Sequence, residues 1–316
     1  MTSPLLRRDP DALRRHHDEP WSMREPLAQR IAELAARRPD DVAFVSDRSR
    51  MTWSEYDDRS TRLCEVFVSL GLVPGDRVGV VLPDGPEVHA VYVAAEKAGL
   101  VVMGIGPRAG LSEVRHLLQR AACRVLVSGE DIGGTPAPSV VDELRAGGLR
   151  LEHHLTVLDE PGPVLRRLEL DGSTCEVDGF PATSSASGRG LGPDDLFLLN
   201  STSGTTGLPK CVMQHQNRWA YFHHVAAQAG RLDASDVMMS VVSAPFGFGL
   251  WTSHFTPALL GIPCVVMSRF SAGQALELIE RASVTVLACV STQFIMMLNS
   301  PTMPTVDLSS LRVMYT

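Results

Sequence analysis

The sequence lacks the features that mark secreted, membrane-spanning and nucleic-acid-binding proteins. Its six cysteines are scattered without a C-x-x-C pair, so we expect reduced core thiols in a cytoplasmic protein. No apolar run reaches the length of a membrane span, and residues 1–15 contain no apolar signal core. The net charge of −7 gives no excess of basic residues that would indicate a nucleic-acid partner. We therefore expect a soluble globular protein.

Several common catalytic patterns are absent as well. No H-x-x-x-H or H-E-x-x-H spacing occurs, which argues against a zinc site, and no metal ligand is assigned. No G-x-S-x-G nucleophile elbow occurs. The nucleoside-triphosphatase loop is also missing, because no Gly-Lys pair is followed by Ser or Thr.

What the chain does have is the run STSGTTGLPK at residues 201–210. Five hydroxyl side chains, two glycines and a lysine suit a polyphosphate, because glycines let the backbone approach a ligand while hydroxyls and the ammonium group donate to phosphate oxygens. The alternative is a polar surface linker. Such a linker rarely follows directly on an apolar strand, as this run follows the strand predicted at residues 196–199.

Strand and helix patterns alternate along most of the chain, which predicts an α/β fold with a mainly parallel, doubly wound sheet. A hairpin is predicted around residues 42–53. Thr52 and Glu55 have the spacing of a capping box, and Pro86 suits a first helical turn. After the 201–210 run, residues 212–229 are predicted to form a helix.

The pattern weakens between residues 129 and 195, where loop compositions dominate. We therefore predict a lead-in segment at residues 1–24, a first α/β subdomain at 25–190 and a second, incomplete subdomain at 191–316 that carries the 201–210 run. Residues 311–316 have the pattern of an interior strand, so we expect the chain to be cut within a domain. Oligomeric state cannot be derived from the sequence.

The 201–210 run closely resembles the phosphate-loop signature of the adenylate-forming superfamily, which comprises acyl- and aryl-CoA ligases, firefly luciferases and the adenylation domains of nonribosomal peptide synthetases. MTWSEY at residues 51–56 and EKAGLV at residues 96–101 are similar to two scaffold segments of that family. The resemblance covers about residues 27–316. It implies the large N-terminal domain of such an enzyme, with two doubly wound subdomains, mainly parallel sheets, and truncation at the C-terminal end.

The resemblance also implies an activity. A carboxylic acid from fatty or aromatic acid metabolism would be activated with ATP and Mg²⁺ to an acyl-adenylate, and the acyl group would then pass to coenzyme A. The residues that would bind the phosphates are Thr202, Ser203, Gly204, Thr205, Thr206, Gly207 and Lys210.

The segment SAPFGFGLW at residues 243–251 resembles the place where family members put an aromatic or histidine gate beside the acyl pocket. This resemblance implies pocket roles for Phe246, Phe248 and Trp251, and a weaker similarity adds Thr292. Without it, a core aromatic cluster would be the preferred interpretation. His215 is a further candidate to approach the substrate, although histidines at helix starts are usually solvated.

The chain departs from the family pattern at Cys211, Gln216, Phe248 and Ser291, where relatives often carry glycine, histidine, histidine and proline. These changes bear on substrate choice and rate. Family elements for adenine, for magnesium and ribose, and the small C-terminal domain with its catalytic lysine are expected beyond Thr316, so the catalytic residues are unknown and the 316-residue chain alone is expected to be inactive.

Two alternatives stay open. The protein could be an adenylation module that loads a carrier protein instead of coenzyme A. It could also be an inactive, truncated nucleotide-binding remnant. The aromatic gate favours an aryl, cyclic or medium-chain acid over a polar amino acid, because no acidic residue stands in these segments to bind an ammonium group.

Overall fold

A computed structural model describes residues 15–47, 49–157, 167–176, 188–202 and 209–316. In chain order the strands are β1 (Val42–Val45), β2 (Arg50–Thr52), β3 (Arg77–Val81), β4 (Val101–Gly104), β5 (Val125–Ser128), β6 (Asp131–Ile132), β7 (Thr135–Pro136), β8 (His153–Val157), β9 (Arg167–Leu170), β10 (Ser173–Glu176), β11 (Leu198–Thr202), β12 (Lys210–Gln214), β13 (Met238–Ser240), β14 (Cys264–Val266), β15 (Val286–Ala288) and β16 (Val313–Tyr315).

The helices are α1 (Leu27–Arg37), α2 (Trp53–Ser69), α3 (Pro86–Lys97), α4 (Leu111–Ala121), α5 (Ala137–Ala146), α6 (Gln216–Gly230), α7, α8 (Ala272–Arg281) and α9 (Ser291–Leu298). Helix α7 comprises three consecutive segments, Gly247–Gly249, the π-helical Leu250–Phe255 and Thr256–Leu260. Among the described residues, no helix combines the length and the apolar character that crossing a membrane requires.

Two large sheets organise the strands. Sheet A has the order β16-β15-β13-β14-β1-β2, and its strands are parallel except for β2. Sheet B has the order β10-β9-β8-β5-β3-β4-β11-β12, with parallel strands from β8 to β11 and antiparallel strands at both edges. The predicted α/β fold with mainly parallel sheets is therefore confirmed.

Both sheets contain strands from both sides of residue 190. Strands β1 and β2 lie in sheet A beside β14, whereas β11 and β12 lie in sheet B beside β4. The division at residue 190 into two subdomains stays a prediction, and the sheets do not follow it. Within the lead-in segment, the backbone N–H of Met23 donates to Asn217 Oδ1 at 2.7 Å.

Local signals in the first half of the chain are confirmed. Strands β1 and β2 form the predicted hairpin. The Thr52 hydroxyl accepts the Glu55 N–H at 3.3 Å, and the Glu55 carboxylate accepts the Thr52 N–H at 2.7 Å, which completes the capping box of α2. Pro86 occupies the first turn of α3, where no backbone N–H is needed.

The predicted helix at residues 212–229 was wrong over its first part. Lys210–Gln214 is strand β12, which pairs antiparallel with β11 from Thr202 to Leu198, and helix α6 begins only at Gln216. The apolar residues of this stretch fit the spacing of a helix as well as that of a strand. Pairing with a neighbouring strand decides the conformation, and a single-sequence pattern does not contain that information.

Helix α3 lies at the centre of the molecule, between the sheets. Ten of its twelve residues are buried, among them His89, Tyr92 and Glu96. They belong to one apolar core that also includes residues of α2, of the β3–β5 strands of sheet B, and of β1 and β14 of sheet A. A helix buried on all sides needs apolar or fully partnered residues around its whole circumference.

His89 and Glu96 make specific contacts inside the core, whereas His89 Nε2 and the Tyr92 hydroxyl are buried without a hydrogen-bond partner among the described residues. His89 Nδ1 lies 3.2 Å from Nδ1 of His254 in the π-helical part of α7, and the two rings are stacked. Phe44 of β1 stacks on His89 with a centroid separation of 4.6 Å. Glu96 Oε1 accepts the N–H of Ala28 at 2.8 Å, which satisfies a donor in the first turn of α1.

We expect the His89–His254 pair to make the fold more stable at neutral than at acidic pH. Burial lowers the pKa of His254 to about 3, and burial together with the neighbouring His254 lowers the pKa of His89. A histidine in the unfolded chain has a pKa of about 6.5, so below that pH the unfolded chain takes up protons that the folded pair does not. The free energy of unfolding therefore decreases as the pH is lowered. At pH 5 this decrease amounts to at most about 2 kcal/mol per histidine.

Urea unfolding at pH 7 and pH 5 checks this expectation. The double variant His89→Leu/His254→Leu removes both titrating groups without leaving one partner unpaired, and it should lose less stability on acidification than the wild type. Burial raises the pKa of Glu96 to about 7, which acts in the opposite direction but is common to both proteins. A His16→Leu control removes an exposed histidine and should behave like the wild type. An unchanged pH dependence in the double variant would contradict the assignment.

Candidate active site

The two ends of the 201–210 run lie on the paired strands of a β-hairpin. Thr202 of β11 pairs with Lys210 of β12, and both residues are exposed. Strand β11 is parallel to β4, with Leu198 opposite Val102. The hairpin therefore ends at the carboxyl edge of the parallel strands of sheet B, where ligands bind in open α/β sheets.

The structure places two of the predicted phosphate-binding residues, Thr202 and Lys210, next to each other on paired strands. The other five lie outside the described residues: Ser203, Gly204, Thr205, Thr206 and Gly207. Their roles stay predictions.

A pair of buried amides lies inside this hairpin. Gln214 Nε2 donates to Asn200 Oδ1 at 2.9 Å, and both side chains are buried. Since Gln214 pairs with Leu198 at the other end of the hairpin, His215 follows at the end opposite to Lys210. Five residue-to-residue steps of about 3.3 Å each separate Lys210 from His215, which places His215 away from the predicted phosphate site.

The predicted pocket residues Phe248 and Trp251 are brought together at the start of α7. Their rings stack with centroids 5.6 Å apart. Trp251 also contacts Tyr315 of β16 edge-on at 5.3 Å and lies 6.5 Å from Phe222 of α6. Tyr315 is the last residue of β16, so this ring cluster lies at the carboxyl end of that strand, and its rings would suit the flat or apolar body of an organic acid.

Phe246 and Thr292 occupy different positions. Phe246 is 40% exposed and lies over Gly106, because a Cβ added at that glycine would stand 3.0 Å from the Phe246 ring. Thr292 is exposed in the first turn of α9. The next residue, Gln293, donates to the carbonyl oxygen of Val241 at 2.8 Å, so α9 is joined to the segment that leads to the aromatic residues.

Sequence reasoning missed the residues that hold the aromatic segment in place. Asp84 follows β3 in sheet B, and its Oδ1 accepts the N–H of Ala244, which follows β13 in sheet A, at 2.6 Å. Burial raises the pKa of this carboxyl, and the bond from Ala244 partly offsets that rise. The order of strands in the two sheets brings these segments together, and no local pattern encodes that order.

Gly249 is required by close backbone packing. A Cβ at this position would stand 2.2 Å from the carbonyl oxygen of Ser243 and 2.4 Å from that of Val242. Neither backbone atom can move aside as a flexible side chain could. The second glycine of the FGFG pattern therefore shapes the turn before α7, and its spacing next to Phe248 is the signal that could have shown this.

Tyr315 was predicted as part of a strand and not as a site residue. Its hydroxyl donates to the carbonyl oxygen of Ala226 in α6 at 2.7 Å, which fixes the ring against Trp251. Only the pairing of β16 with β15 places it on the same side of sheet A as Phe248.

The described residues contain no group of three or more His, Cys, Asp or Glu side chains that could hold a metal ion. A magnesium ion carried by a nucleotide could still be bound through phosphate oxygens, but no residue of the described ranges is assigned to it.

A scan against family models matches residues 31–316 to the AMP-binding enzyme family. Among curated proteins, the chain is 26% identical over 270 residues to the 4-hydroxybenzoate–CoA/benzoate–CoA ligase of Rhodopseudomonas palustris, which covers 85% of this chain and 48% of that protein. It is 27% identical over 297 residues to the fatty acid–[acyl-carrier-protein] ligase ScoC of Streptomyces coeruleorubidus. This alignment covers 91% of the chain and 52% of that protein. The chain spans about half the length of these relatives.

Solved structures share the fold. The inhibitor-bound N-terminal domain of FACL13 from Mycobacterium tuberculosis superposes with a TM-score of 0.73 at 22% identity, covering 92% of this chain and 69% of that one. The fold matches the N-terminal domain of adenylate-forming enzymes, and the family model covers most of the chain, including the STSGTTGLPK run. The chain belongs to the AMP-binding enzyme family of adenylate-forming ligases.

Proposed function

We propose that the complete protein activates a carboxylic acid with MgATP and transfers the acyl group to a thiol. The observation that carries this proposal is the STSGTTGLPK run, which joins paired strands at the carboxyl edge of sheet B in a member of the AMP-binding enzyme family. In the first step, a carboxylate oxygen attacks the α-phosphorus of ATP and pyrophosphate leaves. In the second, a thiolate sulfur attacks the acyl carbonyl and AMP leaves.

Lys210 is the residue of this chain best suited to hold the leaving pyrophosphate. The chain has only two lysines, Lys97 and Lys210. Lys97 donates at 2.7–2.8 Å to Asp57, Ser60 and Thr61, so its ammonium group is already hydrogen-bonded within the fold. Lys210 is exposed at the end of the hairpin, next to Thr202. An ammonium group there would neutralise negative charge as pyrophosphate forms, and phosphoryl chemistry depends mainly on such positioning and neutralisation.

This chemistry requires no nucleophile from the protein. The substrate carboxylate itself is the nucleophile, and the protein has to align it with the α-phosphorus. The remaining family elements for adenine, ribose and magnesium are not assigned to any residue of this chain. We therefore also propose that the 316-residue chain alone does not complete the reaction.

The acid pocket is proposed to lie along Phe248, Trp251 and Tyr315, with Phe246 and Thr292 at its edge. Stacked and edge-on rings fit a flat aryl or cyclic acid, or a medium-length alkyl chain. The two curated relatives are named for benzoates and for a fatty acid, so they support this range without choosing within it.

Coenzyme A is the proposed acceptor, and a carrier protein is the second candidate. One relative is named as a CoA ligase and the other as an acyl-carrier-protein ligase. Assays of thioester formation with coenzyme A and with a phosphopantetheinylated carrier would separate the two. The acceptor does not change the first step, which is common to both.

Removal of the phosphate contacts should weaken ATP use. In the complete protein, we expect Lys210→Ala and Thr205→Ala each to lower kcat/KM for ATP by about tenfold to a hundredfold, because a charge-assisted hydrogen bond contributes about 1.5–3 kcal/mol. The readout is pyrophosphate release at varied ATP concentration. Arg37→Ala, which removes an exposed charge at the end of α1, is the control and should match the wild type. Unchanged ATP dependence in both test variants would remove the phosphate-site assignment.

Removal of a pocket side chain should instead weaken binding of the acid. We expect Phe248→Ala to raise KM for the preferred acid about tenfold and to leave KM for ATP within twofold, since the lost ring contacts only the organic body of the substrate. The control is Tyr221→Ala, which removes a ring from the exposed face of α6. Equal changes in both KM values for Phe248→Ala would indicate general disruption of the domain and would contradict a pocket role.

A further inference from the structure

We infer that His116 is a positioning residue for Lys210 and that it acts through the backbone of Pro209. The inference rests on the proposed function, because it takes Lys210 as a phosphate ligand. It adds a residue from a distant part of the chain, helix α4, which no motif in the sequence connects with the phosphate site.

The contact is a single hydrogen bond. Nε2 of His116 lies 3.0 Å from the carbonyl oxygen of Pro209, and the two residues are 93 positions apart in sequence. A carbonyl oxygen can only accept, so Nε2 is the protonated nitrogen and donates. The imidazole is half-buried, which limits competition from water.

The donor is presented from a fixed backbone. Its helix neighbours Val114, Leu117 and Leu118 are completely buried in the second core of the protein. This core also includes Met103 of β4 and Leu199 of β11, and Cys211 and Met213 of β12 pack against it. Helix α4 is therefore fixed against the same strands that carry the hairpin.

The acceptor is well suited to set the direction of Lys210. The pyrrolidine ring fixes φ of Pro209 near −65°, and proline has no backbone N–H. Its carbonyl is therefore the one backbone group through which Pro209 can be held by hydrogen bonding. That carbonyl belongs to the peptide plane that ends at the nitrogen of Lys210, so holding it limits rotation of the plane.

Lys210 is thus restrained from two sides. Thr202 pairs with it across the hairpin, and His116 holds the preceding peptide from the side of α4. A strand end restrained only by its partner strand opens readily. The second restraint reduces the freedom that a lysine would otherwise lose when it binds phosphate, and such preorganisation favours binding.

Two substitutions separate a loss of this bond from a general loss of structure. Glutamine can place its side-chain N–H₂ near the position of the imidazole Nε2, whereas asparagine reaches only as far as Nδ1. His116→Gln should keep the bond to Pro209, and His116→Asn should lose it. Both are polar, uncharged and smaller than histidine, which makes them a matched pair.

The first readout uses the 316-residue chain. Hydrogen–deuterium exchange of a peptide that covers residues 210–214 should be about fivefold faster in His116→Asn than in the wild type, and near the wild-type rate in His116→Gln. Thermal unfolding of all three proteins checks that the fold is intact. Equal exchange in the asparagine variant and the wild type would overturn the inference.

The second readout uses the complete protein. We expect His116→Asn to raise KM for ATP about fivefold with KM for the acid unchanged, and His116→Gln to restore KM for ATP. A parallel rise in both KM values, or no rescue by glutamine, would overturn the positioning role. Lys210→Ala measured alongside separates the two proposals. If it impairs ATP use and His116→Asn does not, only the inference fails. If Lys210→Ala has no effect, the phosphate role of Lys210 fails together with the inference, and Thr205→Ala then decides on the phosphate site.

Discussion

The burial of α3 between the two sheets is the constraint on which the rest of the structure depends. Because this helix has no solvent-facing side, each of its polar residues needs a partner from a different element. His89 contacts His254 in α7, and Glu96 accepts a backbone N–H from the first turn of α1. These contacts therefore join α3 to α7 and to the N-terminal helix α1.

This arrangement also assembles the site. Asp84 lies directly before α3 at the end of a sheet B strand, and it accepts the N–H of Ala244 from the sheet A segment that leads to Phe248. The hairpin with Lys210 belongs to sheet B, whereas Phe248 and Trp251 lie on α7 and contact Tyr315 of sheet A. The charged group and the apolar rings are therefore carried by different elements. The proposed function involves two substrates of different polarity, and this arrangement would suit both of them.

The fold class and the capping box of α2 could be predicted because each depends on local residue order. Phe248 and Trp251 are three residues apart, and their rings stack on one turn, but their pocket role and the phosphate role of residues 201–210 stay predictions. Asp84, Tyr315 and His116 could not be predicted, since their partners lie 160, 89 and 93 positions away and strand order alone brings them together. The error in the helix predicted at residues 212–229 has the same cause. Residues 210–214 form a strand because they pair with β11.

The most direct test of the account is the product of ATP cleavage by the complete protein. With MgATP and a panel of aryl, cyclic and medium-chain acids, the account predicts AMP and pyrophosphate in equal amounts, formed only when an acid is present, with the acyl-adenylate detectable by mass spectrometry when no thiol is added. Formation of ADP and phosphate, or AMP formation that does not depend on any acid, would contradict the account.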